Sequence, residues 1–213
     1  MTADSLELAS LLCSRLCHDM LSPVGALSNG LELLAEEKDL EMRQRCFELL
    51  EQSARISAAK LKFFRLAFGA AGGFGDMVPA SEPRALIEGL LGERGRITLG
   101  WGAVGDALPK PAVKVLLNLA MIGIDALPRG GALEVGAEVT DRASEIVVRA
   151  AGPKVVFDED IGRALDGTIA PDALSSRTAP AFMLHQLAAR AGGGIRYALG
   201  ADALVMGAVL PFG

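Results

Sequence analysis

The sequence is short of most residue types that carry chemistry. Its 213 residues include two histidines, three cysteines, one tryptophan and one tyrosine. Aromatics make up 5% of the chain, so a core has to be built mainly from Leu, Ala, Val and Ile. No run of about 18 uncharged apolar residues occurs, so no membrane-spanning helix is expected. The acidic start MTADSLEL does not read as a signal peptide, and the cytoplasm is the expected compartment. Lys and Arg total 21 against 26 Asp and Glu, a net charge of −5. With no basic patch, nucleic acid is not expected as a partner. Cys13 and Cys17 stand four apart on one helical stretch, too far for an unstrained disulfide. Cys17 and His18 point about 100° apart on a helix, and no second ligand pair occurs, so no metal site is expected. Cys13, Cys17 and Cys46 read as small buried hydrophobes in a reducing compartment.

What the sequence does have is a long amphipathic helix around one of its histidines. In LLCSRLCHDMLSPVGALSNGLELL, residues 11–34, an apolar stripe runs Leu6, Ala9, Cys13, Leu16, Met20, Val24, Leu27, Leu31, Leu34. His18 falls about 165° from the stripe's centre, so the seam is expected to be buried and the imidazole exposed. Asp4 is a candidate N-cap with Glu7 three residues on, and the helix is expected to reach about Glu37. Pro23 removes the hydrogen bond to the Asp19 carbonyl, so a bend is expected. Lys38-Asp39 reads as a tight connection to a second helix, residues 40–68, with Phe47, Leu50, Ala54, Leu61, Phe64 and Phe68 on one stripe. Two such helices form an antiparallel hairpin. Its apolar groove is best closed by a second copy, so a homodimeric four-helix bundle is expected.

The small-residue run 69–75 marks a boundary between residues 1–70 and 76–213. Beyond it, helices are expected at 83–91, 111–126 and 179–191. Strands are expected at 96–101, 132–140, 145–151, 195–199 and 203–210. Residues 152–177 read as a loop with at most a short helix at 160–165. The fold class is α+β: a helical hairpin, then an α/β sandwich with helices on one face of a mixed sheet.

His18-Asp19-Met20-Leu21-Ser22-Pro23 resembles the phosphoacceptor box of sensor histidine kinases. The domain order resembles a dimerisation and histidine phosphotransfer domain followed by a GHKL-type ATP-binding domain. Read against that family, residues 116–131 resemble the N-box helix. Asn118 and Asp125-Ala126 match, but Ile122 stands where kinases carry the magnesium-binding Asn. Residues 147–154 resemble the G1 box, with Ala150 in place of the adenine-reading Asp and Lys154 in place of a glycine. In the G2 box, Ser176, Thr178 and Pro180 replace the phosphate-cradling glycines, and their side chains obstruct the approach of backbone amides to phosphates. Metal, base and phosphate contacts all fail together. The pattern resembles the ChpT-type histidine phosphotransferases of alphaproteobacteria, which do not bind ATP. The resemblance implies a donor receiver domain on a hybrid kinase (CckA-like) and acceptor receivers of CtrA-like and CpdR-like regulators. It implies no cofactor on this chain, with magnesium in the receiver's acidic pocket.

The chemistry follows from imidazole. Free imidazole titrates near ~6.5, so much of it is a neutral nucleophile near pH 7. His18 is expected to accept a phosphoryl group from a receiver aspartate, with Asp19 a candidate to hold its other ring proton. By helical spacing, a docked receiver meets Leu11, Ser14, Arg15, Leu21, Ser22, Gly25 and Asn29, with Arg15 a candidate phosphoryl contact. His185 has no acidic neighbour and reads as structural. The second region is expected to offer a further contact surface for the receiver. Two alternatives remain open: an ATP-dependent kinase with divergent boxes, and a non-catalytic dimeric scaffold for response regulators.

Overall fold

A computed structural model describes residues 5–69, 76–92, 95–103 and 105–212. The proposed cap Asp4 and residues 70–75 of the boundary run lie outside the described residues. Helix α1 spans Ser5–Glu36 and continues through Pro23, whose ring is buried. Helix α2 spans Leu40–Ala67. Its start is fixed locally: the Asp39 side chain accepts from the Met42 amide at 2.9 Å. Arg43 donates to the carbonyls of Leu34 and Glu37 at 3.0 and 2.9 Å, satisfying orphan groups at the end of α1.

Strand β1 (Met77–Pro79) leads into α3 (Ser81–Leu91), β2 (Ile97–Ala103) and β3 (Ala107–Pro109). Helix α4 (Lys110–Asp125) precedes the hairpin β4 (Gly131–Val139) and β5 (Ala143–Ala151). Helices α5 (Glu159–Asp166) and α6 (Ala179–Arg190) precede the closing hairpin β6 (Gly194–Leu199) and β7 (Ala203–Pro211). The main sheet runs β2-β4-β5-β7-β6. β2 pairs parallel to β4, and the other pairs are antiparallel. The expected sandwich is present. β1 and β3 form an additional two-stranded antiparallel sheet, with Val78 opposite Leu108. Three-residue strands ending at Pro79 and Pro109 are too short to show a period.

The core crosses from one region into the other. Met20 of α1 and Phe63, Phe64, Leu66 and Ala67 of α2 belong to the same buried cluster as α4 and the sheet. Asn118, fully buried on α4, donates to the Ala67 carbonyl at 3.1 Å. A second small cluster seats Leu8 of α1 on Ala179 and Met183 of α6, with Leu11, Leu12 and Phe68 packed around it. Removing the second region would therefore strip the apolar base of the hairpin.

Two expectations change. The α1 stripe is not uniformly covered within one chain: Met20 is buried, whereas Leu6, Ala9, Cys13, Val24 and Leu31 are exposed. An apolar arc this wide serves more than one neighbour, and α2 covers only part of it. Cys46 is buried as expected, but Cys13 and Cys17 are exposed, on the part that α2 leaves open. As expected, residues 152–177 are mostly loop with one short α-helix, α5, and they add a 3₁₀ turn at Pro171–Ala173. Asp158 caps α5, Arg177 pairs with Asp158 at 3.2 Å, and the Phe157 and Tyr197 rings meet at 5.0 Å. Gly167 closes α5 with φ 73°, a left-handed turn suited to glycine.

Candidate functional site

His18 projects from α1 with its side chain 82% exposed. Its Nδ1 lies 3.2 Å from Oδ1 of Asp19. A carboxylate only accepts, so in the neutral ring this contact selects the Nδ1–H tautomer and leaves the Nε2 lone pair free. Adjacent side chains on a helix diverge, but the short Asp19 arm reaches back to its neighbour's ring.

Asp19 is itself held by two cationic side chains. Arg15, one turn earlier, donates Nε to Oδ2 of Asp19 at 2.7 Å. The same guanidinium donates Nη2 to Oδ2 of Asp125 at 3.2 Å. Lys60 of α2 donates Nζ to the Asp19 carbonyl at 3.1 Å. That carbonyl is the one Pro23 leaves without its helical donor, four residues on. The proline of the motif and the lysine of the second helix are thus two halves of one arrangement. Burial pushes the Arg15 guanidinium toward neutrality, but the hydrogen bonds and charges of Asp19 and Asp125 outweigh it and raise its pKa. A cleft of about 150 Å³ lies beside this network, between the hairpin and α4, lined by Arg15, Asp19, Lys60, Phe64, Met121 and Asp125.

Of the other residues expected to meet a receiver, Ser14, Leu21, Ser22 and Asn29 are exposed, with Leu21 70% exposed. An added Cβ at Gly25 would meet nothing within 4 Å. Leu11 is half-buried, packed in the cluster around Leu8, and Arg15 is held by its two carboxylates. His185 donates from Nδ1 to the Leu165 carbonyl at 3.1 Å and stacks on Phe182. Lys60 and Asp125 were not singled out for this site from sequence. Pro23 signalled that Asp19 needed a donor, but the donor comes from 41 residues away. Asp125 is a lone carboxylate ending a nearly all-apolar helix.

The positions that resemble the nucleotide boxes of kinases are filled with apolar packing. Ala150 is fully buried and Ile122 is 7% exposed. Helix α4 lies against the sheet at Gly123, where an added Cβ would stand 2.7 Å from Leu133 and 3.5 Å from the Cβ of Ala150. At the start of α6, the Thr178 and Ala179 amides donate to the Ser175 carbonyl at 3.1 and 2.8 Å. The Ser175 amide donates to the Thr178 hydroxyl at 2.9 Å. These groups close on one another, and Leu8 sits against Ala179. Among the described residues no cluster of His, Cys, Asp and Glu could hold a metal ion, and no helix is long and apolar enough to cross a membrane.

A helical hairpin presenting a histidine, joined to this sandwich, is the architecture of a histidine kinase core. The histidine kinase domain of the blue-light-activated kinase of Erythrobacter litoralis shares that fold at TM-score 0.51 and 12% identity, covering 89% of this chain and 94% of that one. Residues 80–203 match the family described as histidine phosphotransferase C-terminal domain. The protein phosphotransferase ChpT of Brucella abortus (strain 2308) is 42% identical over 152 residues, 71% of this chain and 70% of that protein. A solved bacterial phosphotransferase is 33% identical and superposes at TM-score 0.84 over 98% of both chains. The chain belongs to the histidine phosphotransferase family, and it is of the ChpT type.

Proposed function

We propose that His18 relays a phosphoryl group between receiver-domain aspartates, with no nucleotide bound to this chain. The observation that carries this is the outward Nε2 of an exposed imidazole whose other nitrogen is fixed by Asp19. The Nε2 lone pair attacks phosphorus of a receiver aspartyl phosphate. The N–P bond forms as the bond from phosphorus to the carboxylate oxygen breaks, and the receiver's carboxylate leaves. No proton has to move. The ring becomes cationic with Nδ1–H in place, and Asp19 offsets that charge. An incoming receiver carboxylate then attacks phosphorus and His18 returns as neutral imidazole. A metal ion held by the receiver's own carboxylates supplies charge neutralisation. The packed positions of Ala150, Ile122 and Thr178 support the ATP-independent reading over an active kinase.

The protein works as a homodimer in this reading. Leu40, Phe47, Ala54 and Leu61 recur at seven-residue spacing on α2 and are all exposed, beside exposed Val24 and Leu31 of α1. Such a seam matches the a/d pattern that a second hairpin covers. The receiver docks over His18, Leu21, Ser22 and Gly25. On the family resemblance, the donor is the receiver of a CckA-like hybrid kinase and the acceptors are CtrA-like and CpdR-like regulators. The test is incubation with a ³²P-labelled phospho-receiver without ATP. Label is expected on the wild type and passed to a second receiver, and the His18→Ala protein should take none. Labelling of the chain by ATP alone would overturn the reading.

A further inference from the structure

The network behind His18 reaches further than its own helix. Asp125 is the last residue of α4, where the helix dipole disfavours a negative charge. It is nevertheless paired across the interface with Arg15 of α1, at 3.2 Å. The pairing decides how Arg15 can treat Asp19. A guanidinium offers a planar fork that closes on both oxygens of one carboxylate when free to do so. Here Nη2 is taken by Asp125, so Arg15 gives Asp19 only its Nε, on Oδ2. Oδ1 is thereby left for His18. Among the described residues that line the cleft, the other charged group, Lys60, is engaged with the Asp19 carbonyl rather than its carboxylate. Among the described residues, α3 contributes Leu90 to the cleft.

Building on the reading of His18 as phosphoacceptor, we infer that Asp125, from the former nucleotide-binding region, is a positioning residue. By restraining Arg15 it keeps one oxygen of Asp19 on the His18 Nδ1 proton and so holds Nε2 as the nucleophile. Without Asp125 the Arg15 fork closes on both Asp19 oxygens and competes with His18 for Oδ1. The degenerate region would then act on the acceptor histidine through a carboxylate and a guanidinium, with no nucleotide involved.

The test measures ring ¹⁵N shifts of His18 in the full-length chain, which report the nitrogen carrying the proton, with His185 as the internal control. Phosphotransfer from a labelled phospho-receiver is measured in parallel. Asp125→Asn is expected to shift the His18 ring toward the Nε2–H tautomer and slow transfer about fivefold, the factor set by weakening a charge-assisted hydrogen bond to a neutral one. Asp125→Glu should restore both readings in large part. Arg15→Gln provides a second variant in which the fork is gone: Asp125→Asn should change nothing further in that background, since the two act as one unit. A wild-type ¹⁵N pattern in Asp125→Asn, or a slowing without any tautomer change, would overturn the inference. The ¹⁵N readout does not depend on phosphotransfer. If His18→Ala still relayed phosphate, the phosphoacceptor reading would fall while the tautomer result for Asp125 stood.

Discussion

The outer face of α1 and the N-terminal end of α6 make an instructive pair. In a kinase core each would meet a phosphoryl group, one as phosphohistidine and the other as nucleotide. Around His18 the chain keeps polar side chains, exposure, and a carboxylate whose contacts are all specified. At the start of α6 it closes the backbone amides on Ser175 and presses Leu8 of α1 onto Ala179. That packing of Leu8 on Ala179 and Met183 ties the sandwich to the hairpin that carries His18. A histidine relay needs its acceptor held still, whereas a kinase must bring a separate nucleotide to it.

The sharpest test of this contrast compares the two histidines. His18→Ala should reduce transfer from a labelled phospho-receiver to background. His185→Ala should keep transfer and lower stability by about 1 kcal/mol, through loss of its bond to the Leu165 carbonyl. Restoring the adenine-reading carboxylate should come next in size. Ala150→Asp places an unpaired charge at a fully buried site and should cost about 4 kcal/mol in urea unfolding. It should give no binding of a fluorescent ATP analogue, and tight binding would show that the pocket is only masked. Leu8→Ala should cost about 2–3 kcal/mol by emptying the contact with Ala179 and Met183. The smallest effect belongs to the docking face. Leu21→Ala should raise the KM for a phospho-receiver about three- to tenfold with Tm unchanged, because the side chain is 70% exposed in the free chain. An unaltered KM would move the docking surface elsewhere.

Much of the fold was legible because its signals are local. The 3.6-residue period gave both long helices, Pro23 and Asp39 marked features that the structure contains, and the alternation in β4, β5 and β7 gave three strands of the sheet. The exposed face of His18 followed from counting 100° per residue from the stripe. What was not legible depends on distance along the chain. Arg15 and Asp19 stand four apart and could be paired on paper. Asp125 lies 110 residues from Arg15, and Lys60 lies 41 residues from Asp19, so neither partner could be read without the packing of α2 and α4 on α1. The pairing of Arg177 with Asp158 was not legible for a related reason: it joins two separate points of residues 152–177 outside any periodic pattern.

The core shared by Met20, Phe63, Phe64, Leu66 and α4 also fixes how this molecule comes apart. The base of the hairpin and the sandwich should melt in one cooperative transition, with calorimetric and van't Hoff enthalpies in agreement. Amide protons near Phe64 and Asn118 should exchange only on global opening. Those at the far end, near Asp39, should exchange by fraying long before. His18 lies toward the protected end, two residues before Met20, so its backbone should stay rigid through fluctuations that already open the tip.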